Sequence, residues 1–356
     1  MTSLFLFARA ITTLGRAAWQ NFLLSPSRLR PMSPAMSPVR RAVIDVGTNS
    51  VKLLVADVQR HSVIPIHEES EQTRLGRGFY ETHRLQPDAI ADTAKAVAQF
   101  AALAREKNAE SLRLIATSAA RDAQNQQELI AAVRRASGLT LEIISGQQEA
   151  EWVYHGVRSD PALVGKRLLI LDIGGGSAEF IIGQDEHPEF SRSFPLGSVR
   201  LLEHLRPSDP PAPAELDQCR NYLRAFFAEH IRPTVAPVLE ARHDETQLIG
   251  TGGAATILAR MEYALDKYQR HKIEGARISR ESVERWMQKL WSLPLAERRN
   301  IVGLPKKRAD VILTGMAIYE AVLKEFNFAE LSASTRGLRF AAVLQPAPLP
   351  QSLAVS

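Results

Sequence analysis

One stretch of this sequence occurs twice. Residues 43–55 read VIDVGTNSVKLLV and residues 170–182 read ILDIGGGSAEFII, so that Asp45 matches Asp172, Gly47 matches Gly174 and Ser50 matches Ser177. Apolar residues fall at equivalent places in both copies. Each copy therefore reads as strand, short glycine-containing turn, strand: a β-hairpin whose turn uses residues that accept unusual backbone angles. A single hairpin of this kind says little. Two in register, each opening one half of the chain, point to duplicated domains.

The segments between and after the copies alternate between helix and strand patterns. Helices are expected over 87–106, over 122–136 with a stop at Gly138, and over 147–157; strands over 111–119 and 139–145. In the second half, residues 190–205 carry a strand and a helix start, 207–213 a surface loop, and 214–231 a helix. Residues 247–261 read as strand, glycine turn and helix, the helix continuing to 272. Further helices are expected over 279–291, 305–326 and 336–344, with a last strand at 331–334. The class is α/β in two similar halves. The expected division is an N-terminal extension over 1–40, a first domain over 41–165, a second over 166–344, and a tail over 345–356. The 336–344 helix is free to pack back on the first domain.

Composition narrows the function classes. The chain has 356 residues and one cysteine, Cys219, so neither an internal disulfide nor a cysteine-built zinc site is available. The histidines form no HExxH or similar ligand pattern. No apolar run approaches the ~20 residues of a membrane span. The net charge of +5 suggests nucleic-acid binding until its distribution is read. Residues 1–44 hold six arginines and no acid, which leaves the body balanced or slightly acidic. The basic tail is expected to be a disordered extension or an over-long assigned start, since Met32 and Met36 stand just before the first strand.

The chemistry lies in the turns. An acid closing a strand, followed at once by a glycine turn, can hold a divalent cation while backbone N–H groups converge on an anion. Gly174, Gly175, Gly176 and Ser177 fit that description, as do Gly47, Thr48, Asn49 and Ser50. Such residues also make ordinary hairpin turns, and it is the matched pair that favours a two-sided phosphate clamp. Where the second copy has Glu179, the first has Lys52, so the clamp has an acidic side and a basic side. A third glycine turn, Gly250-Thr251-Gly252-Gly253, opens a helix. It fits a loose dinucleotide fingerprint at 250–255 but lacks the second strand ending in an acid about twenty residues on. It reads better as a helix start facing the cleft, with Gly252 and Gly253 able to receive phosphate or a nucleoside.

Six ordered segments, DVGTNSVKLLV, TSAARDAQN (117–125), EIISGQQEA (142–150), DIGGGSAEF (172–180), GTGGAATILA (250–259) and KKRADVILTG (306–315), resemble the Ppx/GppA phosphatases. The resemblance covers about residues 41–344. It implies two duplicated ribonuclease H-like domains of the actin–hexokinase–Hsp70 superfamily with an interdomain cleft. It also implies a short, two-domain form, without the helical C-terminal extension of long members.

Several roles follow from the resemblance alone. Glu149, which by itself reads as a surface acid complementing a helix dipole, matches the family's catalytic glutamate, expected to orient and deprotonate the attacking water. Asp172 and Glu179 match acids near a Mg²⁺ ion and that water, with Asp45 expected to assist. Arg121 matches an arginine near the terminal phosphate. The expected activity is release of terminal orthophosphate from inorganic polyphosphate by a cytoplasmic Mg²⁺-dependent enzyme, with no specific nucleic-acid partner and a possible homodimer. The alternatives are hydrolysis of the 5′-phosphate of guanosine pentaphosphate, a small-molecule kinase, and an actin- or Hsp70-like nucleotide-binding scaffold.

Overall fold

The computed structural model describes residues 37–60 and 62–345. The expectations for the basic tail and for the end of the chain lie outside the described residues, apart from their inner edges. Two mixed sheets organise the body. The first is built from β1 (Val39–Val46), β2 (Val51–Gln59), β3 (Ser62–Glu71), β4 (Ser111–Ala116) and β5 (Glu142–Ile143), in the order β3-β2-β1-β4-β5. The second is built from β6 (Arg167–Ile173), β7 (Ala178–Gly183), β8 (Phe190–Phe194), β9 (Thr246–Thr251), β10 (Arg277–Ser279) and β11 (Glu330–Ala333), in the order β10-β11-β9-β6-β7-β8. In each sheet the repeated hairpin is extended by a third antiparallel strand, and its first strand pairs in parallel with a later one. The duplication seen in the sequence is thus a duplication of topology.

Alternation along the strands decides which side chains meet. Ala42, Ile44 and Val46 of β1 face the first sheet's own core, whereas Val43 faces a separate apolar layer. Side chains two apart share a face, so Asp45 joins Val43, and Lys52 joins Leu54. In the second sheet Asp172 lies on the face of Leu168 and Ile170, and Glu179 on that of Ile181. The shared layer draws from both sheets and is filled by two helices, Gly146–Arg158 and Leu338–Leu344. The period-2 pattern therefore turns Asp45, Lys52, Asp172 and Glu179 toward one space between the sheets. The two helices cross closely: a Cβ on Gly156 would lie 2.1 Å from the Gly337 carbonyl oxygen. The helix carrying Glu149 is thereby fixed to the last helix, which also packs on β1, β2 and β3.

Several element boundaries differ from the sequence reading. The expected helix over 122–136 is two, Ser118–Asp122 and Gln126–Ser137, and the strand over 139–145 shrinks to Glu142–Ile143. The helix at 214–231 continues through a π-helical turn at Phe227–Ile231 to Glu240. The helix from Gly252 ends at Glu262, not 272, because Ala264 adopts φ 49°. The expected helix at 305–326 starts only at Ile312, after a 3₁₀ turn at Lys306–Arg308. Strand β3 was not expected at all. Among the described residues no helix is long and apolar enough to cross a membrane.

Candidate active site

A cavity of about 550 Å³ opens between the two sheets. Its walls include Asp45, Lys52, Glu149, Asp172 and Glu179, together with all three glycine turns. The two hairpin turns are closed alike: the Gly47 amide donates to the Ser50 carbonyl at 3.0 Å, and the Gly174 amide to the Ser177 carbonyl at 2.9 Å. Asp45 sits opposite Lys52 in the β1–β2 register, and Asp172 opposite Glu179 in the β6–β7 register. One hairpin thus sets an acid opposite a cation, and the other an acid opposite an acid.

The glycines of the two hairpin turns do not use left-handed backbone: none of Gly47, Gly174, Gly175 or Gly176 has a positive φ. Gly175 and Gly176 are small because the opposite wall is close: a Cβ on Gly175 would lie 2.8 Å from the Thr48 Cβ, and one on Gly176 would lie 2.3 Å from the Tyr80 hydroxyl. The third turn is different. Gly252 has φ +81°, and a Cβ there would meet the Asp172 Oδ1 at 2.2 Å. Gly253, by contrast, has open space where its Cβ would point.

Glu149 is buried, on the first turn of a helix capped by the Ser145 hydroxyl. The Arg121 Nη1 donates to the Glu149 Oε2 at 2.9 Å and to the Ile144 carbonyl at 3.3 Å. Arg121 thus reaches the site by holding Glu149; its Nε lies 3.6 Å from the Asp122 Oδ1, which leaves Nη2 as the donor available to a phosphate oxygen. Glu179 accepts a hydrogen bond from the Ser193 hydroxyl at 2.8 Å. Thr48 accepts from the Ala119 amide, and Asn49 from Gln72. Ser50 accepts from Arg308 at 2.7 Å.

Arg308 and Arg339 were missed as individual residues. Arg308 stands in KKRADVILTG, one of the six segments that carry the resemblance. Its 3₁₀ turn brings it across to the first turn of the opposite lobe. Arg339 donates to the Leu53 carbonyl at 2.7 Å, beside the Asp45–Lys52 pair. No local pattern announces a residue delivered from so far along the chain.

Four carboxyl groups share this space with Lys52, Arg121, Arg308 and Arg339, and burial outweighs the pull of the cations. Burial pushes the Glu149 carboxyl up to about 7 against the pull of Arg121, and Asp172 up to about 6 against the pull of Lys52. Burial also raises Asp45 and Glu179, the latter further lifted by the neighbouring Glu149 and Asp172 charges. Burial lowers Lys52, with Asp45 opposing. A carboxyl whose pKa is raised on folding stabilises the fold below its unfolded pKa, and that contribution disappears as pH rises through the folded value. In chelator, the protein is therefore expected to melt at a higher temperature at pH 6 than at pH 8. Thermal melts at the two pH values check this; a higher melting temperature at pH 8 contradicts it.

The same donors suit a hard divalent cation. The Asp45 Oδ1 is buried without a hydrogen-bond partner, and the Asp45 charge helps to raise the Asp172 carboxyl. Among the described residues, no three acidic, histidine or cysteine side chains form a metal cage. One or two carboxylates with water and substrate phosphate is the coordination that Mg²⁺ favours.

Comparison with known proteins agrees with this geometry. The family model described as the Ppx/GppA phosphatase family matches residues 54–347. A protein of Mycobacterium tuberculosis named exopolyphosphatase 2 is 33% identical over 301 residues, which are 82% of this chain and 92% of the relative. A Vibrio cholerae protein named guanosine-5′-triphosphate,3′-diphosphate pyrophosphatase is 29% identical over 86% of this chain and 59% of its own length. The crystal structure of an exopolyphosphatase from Cytophaga hutchinsonii superposes with a TM-score of 0.76 at 27% identity, covering 88% of this chain and all of that one. With its two-domain α/β body of the actin–hexokinase–Hsp70 type, this chain belongs to the Ppx/GppA phosphatase family.

Proposed function

We propose that this protein is an exopolyphosphatase, releasing terminal orthophosphate from inorganic polyphosphate. The observation that carries the reading is the pair of matched turns facing each other across a cleft, with a buried glutamate held by an arginine between them. Phosphoryl transfer asks a protein mainly for positioning and charge neutralisation. Among the described residues, the amides of Thr48, Asn49, Gly175 and Gly176 donate to no protein acceptor, which leaves them for phosphate oxygens. Ser50, Ser177 and Lys52 add donors on either side, and Gly252 and Gly253 bring a helix start to the same space. Arg121 fixes the Glu149 carboxylate and presents its Nη2 to the terminal phosphate. Glu149 then accepts a proton from the attacking water, and Glu179, steadied by Ser193, orients that water.

A divalent cation, for which Mg²⁺ is the best fit, would neutralise phosphate oxygens and the departing chain end. Asp172 and Asp45 would hold it, with Glu179 close by. Hydrolysis of guanosine pentaphosphate is the second reading. It is favoured by the far end of the cleft, where Ile257, Arg260 and Tyr268 leave room for a base.

Phosphate release from long and short polyphosphates, guanosine pentaphosphate and ATP, with and without Mg²⁺, tests the choice. Cation-dependent release that is fastest from polyphosphate is expected. Preference for the guanosine compound over every polyphosphate would promote the second reading, and no release from any of them would overturn both.

A further inference from the structure

Three hydroxyl groups that the mechanism above does not fully use converge on the second phosphate turn. A Cβ on Gly176 would lie 2.3 Å from the Tyr80 hydroxyl, 2.4 Å from the Ser118 hydroxyl and 3.0 Å from the Thr48 hydroxyl. Tyr80 and Ser118 come from the first lobe, and Gly176 from the second. The Ser118 oxygen is buried without a hydrogen-bond partner, and Ser118 as a whole is only 3% exposed; the Tyr80 hydroxyl, also buried, interacts with Thr48. A buried hydroxyl left unpaired is costly, so Ser118, beside a phosphate turn, calls for an acceptor. Ser118 lines the cavity itself. Tyr80 stands behind it, its ring edge-on to Phe79 and covered by the Arg200 guanidinium. Burial pushes the Tyr80 phenol up to about 12, so it remains a neutral donor.

We propose that Ser118 is a phosphate-binding residue, its hydroxyl donating to an oxygen of the phosphate group lodged against Gly175–Gly176. Tyr80 is the positioning residue that holds the Thr48 and Ser118 hydroxyls in line. The ligand class is a tetrahedral oxyanion of orthophosphate size: the terminal unit of the substrate before cleavage, and the free product after it. A methyl group at position 176 would collide with the Tyr80 and Ser118 hydroxyl oxygens themselves. This inference rests on the reading of the cleft as a polyphosphate site, but its test does not need turnover.

The test measures inorganic orthophosphate binding to the resting enzyme by calorimetry, alongside steady-state kinetics on polyphosphate. Ser118→Ala is expected to weaken orthophosphate binding and raise KM by about tenfold, as loss of a hydrogen bond to a charged group does. Ser118→Cys, which keeps the volume but is a poor donor, is expected to follow it. Tyr80→Phe keeps the ring packing and is expected to weaken phosphate binding by about threefold while melting close to the parent. A purely structural role would give the opposite pattern, lower melting with unchanged phosphate affinity. Folded Ser118→Ala and Ser118→Cys proteins that bind orthophosphate within twofold of the parent would overturn the proposal. If the parent binds orthophosphate at Ser118 but releases none from polyphosphate, the seat stands and the substrate assignment falls.

Discussion

Replacing Glu149 by glutamine is expected to reduce phosphate release by on the order of 10²–10⁴-fold, the range over which a positioned general base acts. Glutamine keeps the length and planarity of the side chain and can still accept from Arg121 through its carbonyl. It cannot take the proton of the attacking water. The loss therefore belongs in turnover, with substrate affinity held within a few-fold, because the turns that grip phosphate are untouched. The fold is expected to survive, since burial already raises the Glu149 carboxyl to about 7 and a neutral amide suits that environment. Steady-state kinetics with a melting curve check both halves. Parent-like turnover in a folded Glu149→Gln protein would remove this residue from the chemistry.

A comparably large effect is expected from one methyl group at Gly252. Its φ of +81° is costly for any residue with a Cβ, by about 1–2 kcal/mol. The added carbon would also fall 2.2 Å from the Asp172 Oδ1, so the carboxylate must move. Misplacing a reacting or metal-holding group by about 1 Å can cost on the order of 10²-fold in rate. Gly252→Ala is thus expected to lower activity by that order and to lower the melting temperature. Gly253→Ala is the matched control for stability. Its Cβ meets nothing within 4 Å, and alanine is the better helix former by about 1 kcal/mol, so it should melt at or above the parent. Equal melting and equal activity for both variants would show that Asp172 is not positioned by this turn.

The parts of the fold legible in the sequence were those written in local periodicity. The two hairpins repeat the same apolar spacing, and the helix Pro87–Glu106 appears as expected because its alanine-rich apolar stripe has no competing signal. Asp45, Lys52, Asp172 and Glu179 could be placed because a strand's alternation fixes their faces. Strand β3 was hidden for physical reasons. Its SVIPIHEESE stretch carries a proline and a run of acids, and its pairing with β2 shifts register at Val55/Ala56. Those are the features of a guarded sheet edge, which tolerates what an inner strand does not. The break at Ala264 was hidden too, because nothing in the polar run to 272 announces a residue with positive φ. Arg308, Tyr80 and Ser118 reach the cleft from separate segments, and only tertiary structure brings them together.

The central claim is that water, activated at Glu149, attacks the terminal phosphorus while the cradle holds that phosphate. Hydrolysis of a short polyphosphate in ¹⁸O-labelled water tests it directly. Attack at the terminal phosphorus forms a new P–O bond from the labelled water and breaks the bond from that phosphorus to the bridging oxygen, which leaves with the shortened chain. The account predicts one ¹⁸O atom in each released orthophosphate and none in the shortened chain after a single turnover. Label in the shortened chain and unlabelled orthophosphate would mean attack at the penultimate phosphorus, and would contradict it.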